Sequence, residues 1–350
     1  MVAPPWYPIP PQGYGGIEWM MAWLAEALID RGHDVTIIGV GEQQTRATLI
    51  PTFAEPQWPR LGDALVEFVH AAEVDRILDD LAADLAVDVV HDHSGAGPLS
   101  TRHRNAPTVL TAHGPADHRD LGRYYQLLAT DAALVAISHA QRDSAPGLPW
   151  AGTVHNAIPV DEFPFQGPKD DFCLFLGRMS PEKAPDLAIK AARAAGCPIV
   201  LAAKCNERDE HRYFEQHIRP LLGPDAEWLG EVGTEQKKDL LRRARCLVNP
   251  IQWNEPFGIV MVEAMACGTP VVALRNGSAP ELVDDAITGF LCDRPSELAW
   301  AIVRSDEIEP KLCRQHVADN FDVATMAAKY EAIYRTAIRT AIAARARPQQ

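Results

Sequence analysis

The sequence predicts an α/β chain of two domains, each built on a buried parallel sheet, and three observations carry that prediction. The chain has 350 residues, long for one hydrophobic core and natural for two of about 150–170 residues each. Short β-branched runs such as Val271-Val272-Ala273-Leu274 recur, bounded by glycine turns and followed by apolar-periodic stretches, the pattern of strands buried on both faces with crossover helices. Polar residues stand just past several runs, notably His113 after residues 107–112 and Arg178 after residues 172–176. Ligands of open α/β sheets bind outside those carboxyl ends.

Composition sets the outer limits. A hydrophobic content of 47% supports two full-sized cores. The seven cysteines, at 173, 197, 205, 246, 267, 292 and 313, are odd in number and show no CxxC spacing, so they read as reduced packing residues of a cytoplasmic protein. No apolar run approaches the roughly 18 residues of a helical membrane span, and the proline-rich start lacks the charged segment of a signal peptide. The net charge of −14 is uneven: residues 1–165 hold 9 Arg, no Lys and 21 Asp+Glu, a balance of −12. An acidic first half argues against nucleic acid and against anionic lipid as partners. It suits a soluble neutral or cationic partner, or serves solubility alone.

In chain order, residues 1–5 end a first strand. Gly13, Gly15 and Gly16 then form a tight turn at the head of a helix that begins at Ile17 and closes near Gly32. Glycines opening a helix let the backbone approach a phosphate, though the spacing is equally that of a plain loop. A strand follows at 34–38. Residues 62–85 read as an amphipathic helix with Leu65, Phe68, Val69, Val74, Ile77, Leu78 and Leu81 at helical spacing. The strand 87–90 runs into His91-Asp92-His93. Extended backbone puts the two imidazoles on one face and Asp92 on the other, so the trio is not assigned a metal. Strands at 107–112 and 132–137 follow, the second leading to a helix capped by Ser138. A proline-spaced stretch reaching Pro168 links the domains, with the division placed at 165/166.

The second half opens with a strand at 172–176 and the segment Gly177-Arg178-Met179-Ser180-Pro181-Glu182-Lys183. Arg178 at the strand end and Lys183 at a helix start either reach a diphosphate, as fork and point charge, or form a solvated surface pair. A strand at 199–203 runs into Lys204-Cys205-Asn206, to which no role is assigned, and residues 207–222 read as one helix. Residues 228–232 make a strand end, 235–245 a helix and 246–248 a strand. Helices are expected at 296–303, 311–320 and 323–344.

The stretch 249–281, NPIQWNEPFGIVMVEAMACGTPVVALRNGSAPE, is the most informative. A loop carries Trp253, Asn254 and Glu255, and an apolar helix over 257–266 ends at Gly268. The eight positions from Glu255 to Glu263 turn a helix by about 800°, roughly 80° off register. Spacing alone therefore does not align the two carboxylates. Glu263 on an apolar second turn either faces solvent or points into a cleft to accept two hydroxyls, as a ribose diol offers. The free N–H groups of Gly258, Ile259 and Val260 point at an anion.

Seven features resemble, in order, the signature of the retaining glycosyltransferases of family 4: the Gly15-Gly16 turn, His113, Val154-His155-Asn156-Ala157-Ile158, Gly177-Arg178 with Lys183, Leu229-Gly230-Glu231-Val232, the Glu255/Glu263 pair, and the turn before Glu281. The resemblance covers essentially the whole chain. It implies a GT-B fold, two Rossmann-like doubly wound domains facing a central cleft, with the last helix (321–350) crossing back to the first domain. It departs from the family in its short first strand and in Lys183-Ala184 where relatives have Lys-Gly.

The resemblance also implies roles. Glu255, His113, Arg178 and Lys183 would act on the transferred sugar and the diphosphate. Gly15, Gly16, Val232, Phe257, Gly258, Ile259, Val260 and Glu263 would bind the rest of a nucleotide-sugar donor, a UDP-sugar by preference. No metal or cofactor is expected, and the acceptor is a small molecule or glycan. Two other activities fit the same pocket: a GT-B epimerase or sugar-nucleotide hydrolase, and a non-catalytic nucleotide-sugar sensor. Phosphorylase chemistry lacks a pyridoxal-binding lysine motif.

Overall fold

A computed structural model of the chain describes residues 1–11, 13, 15–42, 44–84 and 87–345. Two compact units result. The first comprises Met1–Pro11, Gly15–Asn156 and the C-terminal helix Val323–Arg345; the second comprises Ala157–Asp322 with Gly13.

In unit 1 the helix α1 (Gly16–Asp30) precedes β1 (Thr36–Val40) and β2 (Thr48–Phe53). Then come α2 (Ala64–Asp84), β3 (Val90–Asp92), β4 (Thr108–Ala112), α3 (Arg119–Leu128), β5 (Ala132–Ala136), α4 (His139–Ser144) and β6 (Trp150–Thr153). Every strand pairing is parallel. The first strand shrinks to one residue: Val2 bridges Ile38 on one side and Asp92 on the other. Its backbone bonds to β3 (Val2 N to His91 O, 2.8 Å; His93 N to Val2 O, 2.9 Å) and to β1 (Ala3 N to Ile38 O, 2.9 Å; Ile38 N to Met1 O, 2.8 Å) join the β2-β1 pair to the β3-β4-β5-β6 sheet.

Several boundaries differ from expectation. The strand expected at 87–90 is Val90–Asp92, because its partner β4 begins only after Pro107, whose carbonyl accepts from Val90 N at 2.9 Å. The strand expected at 34–38 starts at Thr36, where pairing with β2 begins. Neither β2 nor β6 is foreseen; β2 carries Pro51, which confines it to an edge. The helix expected at 62–85 is α2, with Leu85 outside the described residues. Its buried side is Val66, His70, Val74 and Ile77, whereas Leu65, Phe68 and Val69 are exposed. The apolar period there marks two faces, and only one meets the core.

The C-terminal helix completes unit 1. Tyr330 shares a hydrogen bond with Thr111 Oγ1 (2.9 Å) and Tyr334 with His91 Nδ1 (2.7 Å). Glu331 accepts from Arg31 Nε at 2.7 Å.

Unit 2 runs β7 (Cys173–Arg178), α5 (Pro185–Ala194), β8 (Ile199–Lys204), α6 (Arg208–Tyr213), β9 (Ala226–Gly230), α7 (Thr234–Arg243) and β10 (Cys246–Asn249). It continues with α8 (Ile259–Ala266), β11 (Val271–Leu274), α9 (Ala279–Leu282), β12 (Gly289–Cys292), α10 (Leu298–Arg304) and α11 (Pro310–Asn320). The six strands lie in the order β12-β11-β10-β7-β8-β9, all parallel. That order is doubly wound and reverses between β7 and β10, so the crevice for a ligand opens at their carboxyl ends. Residues 157–165 pack with unit 2 rather than unit 1: Ile158 bridges Asp322, and Arg314 donates to the carbonyls of Val160 and Phe163.

Two local expectations are corrected here, and one strand is added. Residues 207–222 are not one helix: α6 passes into a π turn (Phe214–Ile218) and a 3-10 turn (Arg219–Leu221) around Pro220, which has no N–H for the helical ladder. The helix expected from Phe257 starts at Ile259, because Gly258 adopts φ 80°, ψ 60°, a left-handed conformation that admits no helix before it. The strand β12, short and glycine-led, is an addition. All seven cysteines are free and buried, with Cys173 Sγ 3.2 Å from Cys197 Sγ.

Candidate functional site

At the carboxyl end of β7 the chain turns sharply. Residues Pro181–Lys183 form a 3-10 turn, and Ala184 follows at φ 51°, ψ 48° before α5 starts. Lys183 therefore precedes the helix instead of opening it. A left-handed residue is where glycine costs least, which accounts for a Lys-Gly pattern at this turn. Lys183 Nζ donates to Glu255 Oε2 at 2.5 Å and lies 5.6 Å from the centre of the Trp253 ring. Arg178 donates to Glu182 at 3.0 Å. Each cation thus faces a carboxylate, and the Lys183–Glu255 pair is four-fifths or more buried on both sides.

Glu255 is placed by the glycine turn that follows β11. Ser278 N donates to Glu255 O at 3.0 Å, Ser278 Oγ to Phe257 O, and Asn276 Nδ2 to Ile251 O at 3.2 Å. Gly277 sits so close that an added Cβ would lie 2.5 Å from both the nitrogen and the oxygen of Glu255. The loop then swings through Phe257, buried, and Gly258 into α8, whose first N–H groups, at Ile259 and Val260, have no intrahelical acceptor. Such a helix start attracts anions.

Glu263, on the second turn of α8, is 2% exposed, so the solvent-facing reading of it is excluded. Its Oε1 accepts from Lys237 Nζ at 2.7 Å. Lys237, on α7, is a site residue that sequence reasoning missed. The signal available was indirect: a carboxylate on an apolar helix needs a cation, and the charged face of α7 supplies one. Val232 stands half-buried in the loop after Gly230, the end of β9. Lys204, unassigned from sequence, is 5% exposed and donates to Glu207 at 2.9 Å, while Asn206 donates to Glu231 at 3.0 Å.

In unit 1, Gly15 has φ 150°, and an added Cβ would lie 2.8 Å from Pro11 Cγ and 3.0 Å from Glu18 Oε2. Gly16 is the first residue of α1, whose N-cap position is Gly15 and so offers no capping side chain. Glu18, also missed, is buried in the first turn of α1, and burial pushes its carboxyl up to about 7. His113 stands at the carboxyl end of β4, half-buried, with Nε2 2.9 Å from His93 Nδ1. His91 and His93 share a face as expected, their ring centres 4.0 Å apart, and Asp92 turns the other way to a buried ion pair with Arg104 at 2.8 Å. The three do not converge on a common point.

Unit 2 thus gathers Lys183 and Glu255 in direct contact, with Arg178, the α8 start and the Glu263–Lys237 pair on elements next to the switch point. Unit 1 gathers Gly15, Gly16 and His113 at the carboxyl end of its own sheet. Residues 161–314 match the family model of the glycosyl transferases group 1, and residues 14–163 that of Glycosyltransferase Family 4. The chain belongs to glycosyltransferase family 4.

Similar family-4 chains vary in reach. A D-inositol 3-phosphate glycosyltransferase of Streptomyces avermitilis is 33% identical over 188 residues, 44% of this chain and 38% of that protein. The match thus spans less than half the length of such relatives. An alpha-maltose-1-phosphate synthase of Mycobacterium tuberculosis is 28% identical over 327 residues, 81% of each chain. AviGT4, a glycosyltransferase involved in avilamycin A biosynthesis, superposes with a TM-score of 0.71 at 26% identity over 97% of both chains. The shared architecture is GT-B, with two Rossmann-like parallel-sheet domains.

Proposed function

We propose that this chain transfers a sugar from a nucleotide-diphosphate donor, a UDP-sugar, to a hydroxyl of a small-molecule or glycan acceptor, with retention at the anomeric carbon and without a metal. The observation that carries the reading is the Lys183–Glu255 contact at the switch point of a doubly wound sheet, beside a helix start free to bind an anion. Lys183 and Arg178 hold the diphosphate and stabilise charge as it builds on the leaving group; the N–H groups of Gly258, Ile259 and Val260 assist. Phe257 and Val232 line the donor side, Glu263 accepts the ribose hydroxyls, and Glu255 accepts a hydroxyl of the transferred sugar. From unit 1, Gly15 and Gly16 approach the phosphates and His113 orients the sugar. The acceptor attacks on the face the phosphate leaves, and the departing phosphate oxygen takes its proton. Catalysis is then positioning and electrostatics rather than protein acid–base chemistry.

The test is a melting-temperature panel of UDP, GDP, ADP and their sugars without divalent metal. A ligand that binds only the native state raises the melting point. A shift with uridine compounds and steady turnover in chelator support the assignment; a folded sample unmoved by every nucleotide sinks it. Sugar release to water at the rate of nucleotide release, with no acceptor able to intercept it, would instead favour a hydrolase.

A further inference from the structure

The pair His93–His113 carries information about which atom His113 offers to a ligand. Three surfaces hold the pair. Gln141 Nε2 donates at 2.8 Å to the carbonyls of both Ala112 and Gly114, fixing the backbone on either side of His113. The His93 ring meets the His113 ring edge to edge, centres 5.2 Å apart and planes 29° apart, with the bonded nitrogens between them. The His93 ring also packs against His91, centres 4.0 Å apart, and His91 is itself bonded through Nε2 to Thr111 and through Nδ1 to Tyr334. Among the described residues the contact that can read the protonation of the His113 ring is the 2.9 Å bond between its Nε2 and His93 Nδ1.

Burial pushes the His93 imidazolium well below the usual histidine range and that of His113 down to about 4. Near neutral pH two neutral rings share that bond, and one nitrogen must donate while the other accepts. The far nitrogen of His93 decides which. His93 Nε2 is sealed from solvent and has no hydrogen-bond partner among the described residues. A proton there would be a buried, orphaned N–H, the costlier of the two unpaired forms, whereas a bare lone pair is better tolerated. The proton of His93 then resides on Nδ1 and is donated to His113 Nε2. His113 in turn must carry its own proton on Nδ1.

We infer that His93 is a positioning residue that locks His113 in the Nδ1–H tautomer, so that the ring presents a hydrogen-bond donor to an acceptor oxygen of the bound ligand. That this oxygen belongs to the transferred sugar rests on the proposed function; the tautomer itself does not. An imidazole of the opposite tautomer would present a lone pair and would demand a donor hydroxyl instead, so His93 decides the polarity of this contact.

The experiment is a long-range 1H–15N correlation on the full chain labelled with 15N-histidine at pH 7, with His113→Gln to assign the signals. The expected spectrum shows His113 with a pyrrole-type Nδ1 and a pyridine-type Nε2; the reverse pattern overturns the inference without any variant of His93. In His93→Phe, which keeps a ring packed against His91 but removes the bonded nitrogen, the His113 signals are expected to move to a mixture of tautomers, and an unchanged Nδ1–H pattern also overturns it. In parallel, UDP affinity should stay within about twofold while kcat/KM for the sugar nucleotide falls about tenfold, the scale of one hydrogen bond. A fall in both together would mean a structural role only. If no nucleotide binds at all, the proposed function fails while the tautomer measurement still stands or falls alone.

Discussion

Lys183 and Glu255 touch at 2.5 Å although they are 72 positions apart in sequence and come from loops after different strands. The proposed chemistry asks each to serve the donor: the lysine its diphosphate, the glutamate its sugar. The two charges face each other directly, so on the proposed chemistry donor binding exchanges a carboxylate for a phosphate at Lys183 Nζ. The two side chains should then separate in their effects. Lys183→Ala should weaken UDP binding at least tenfold and cut turnover at least a hundredfold. Glu255→Gln should cut turnover about as much while UDP binds as tightly as before or tighter. Titration calorimetry with UDP beside a transfer assay reads both; weaker UDP binding in Glu255→Gln would contradict the exchange.

Glu263 depends on Lys237 because its carboxylate is buried and bonded to that cation at 2.7 Å. Removing the partner leaves a buried carboxylate uncompensated, a loss of about 2–3 kcal/mol once the part exposure of Lys237 is allowed for. Lys237→Met should therefore lower the melting point by several degrees. Adding Glu263→Gln should recover part of that loss, and a double-mutant cycle by denaturant unfolding measures the coupling.

Gly277 is held against the backbone of Glu255 at φ 53°. The left-handed conformation itself costs an alanine only about 1 kcal/mol, but its Cβ must push the Glu255 peptide aside. Gly277→Ala is expected to destabilise by clearly more than that conformational cost, on the order of 3 kcal/mol or more because the clash is with backbone, and to lower kcat tenfold or more in the protein that still folds. A variant with normal turnover would show that the loop position is not needed.

Glu18 brings a pH dependence. Its carboxyl is raised from 4.5 to about 7 by burial, so between those values the unfolded chain is ionised while the native one keeps the proton. Stability then falls as pH rises through that window and levels off above it, by on the order of 3 kcal/mol for this group. Glu18→Gln should be nearly silent in melting experiments at pH 4.5 and stabilising at pH 8. Equal shifts at both pH values would contradict the assignment.

Much of this arrangement could be read before any coordinates. Strand β11 has the expected bounds, because four β-branched or apolar residues between two glycine turns leave little freedom. His113 and Arg178 fall at strand ends because each closes a short apolar run, whereas Glu255 lies six residues past β10, in a loop that the motif and not a strand pattern marks. Strand β2 was invisible because Pro51 breaks its pattern, and it survives only at an edge. The π turn after α6 was hidden because the residues around Pro220 keep a helical composition while the ladder cannot continue. Lys237 was hidden for another reason: its purpose lies in a partner 26 positions away, and local sequence holds no mark of that. The alternation of His91, Asp92 and His93 was legible as geometry, but the Arg104 partner and the His93–His113 bond depend on tertiary contacts that spacing does not encode.

The C-terminal helix has a further consequence for how the polypeptide is made. Tyr330 and Tyr334 satisfy Thr111 and His91, and Glu331 satisfies Arg31, so the first unit waits for residues translated after the whole of 157–322. On the ribosome the second unit, nearly continuous in sequence, can finish folding while the first still shows an uncovered apolar and hydroxyl-bearing face. A nascent chain released before Val323 should therefore carry a compact second unit and a first unit that recruits chaperones. Supplying the peptide 323–345 in trans would test whether that late helix alone closes it.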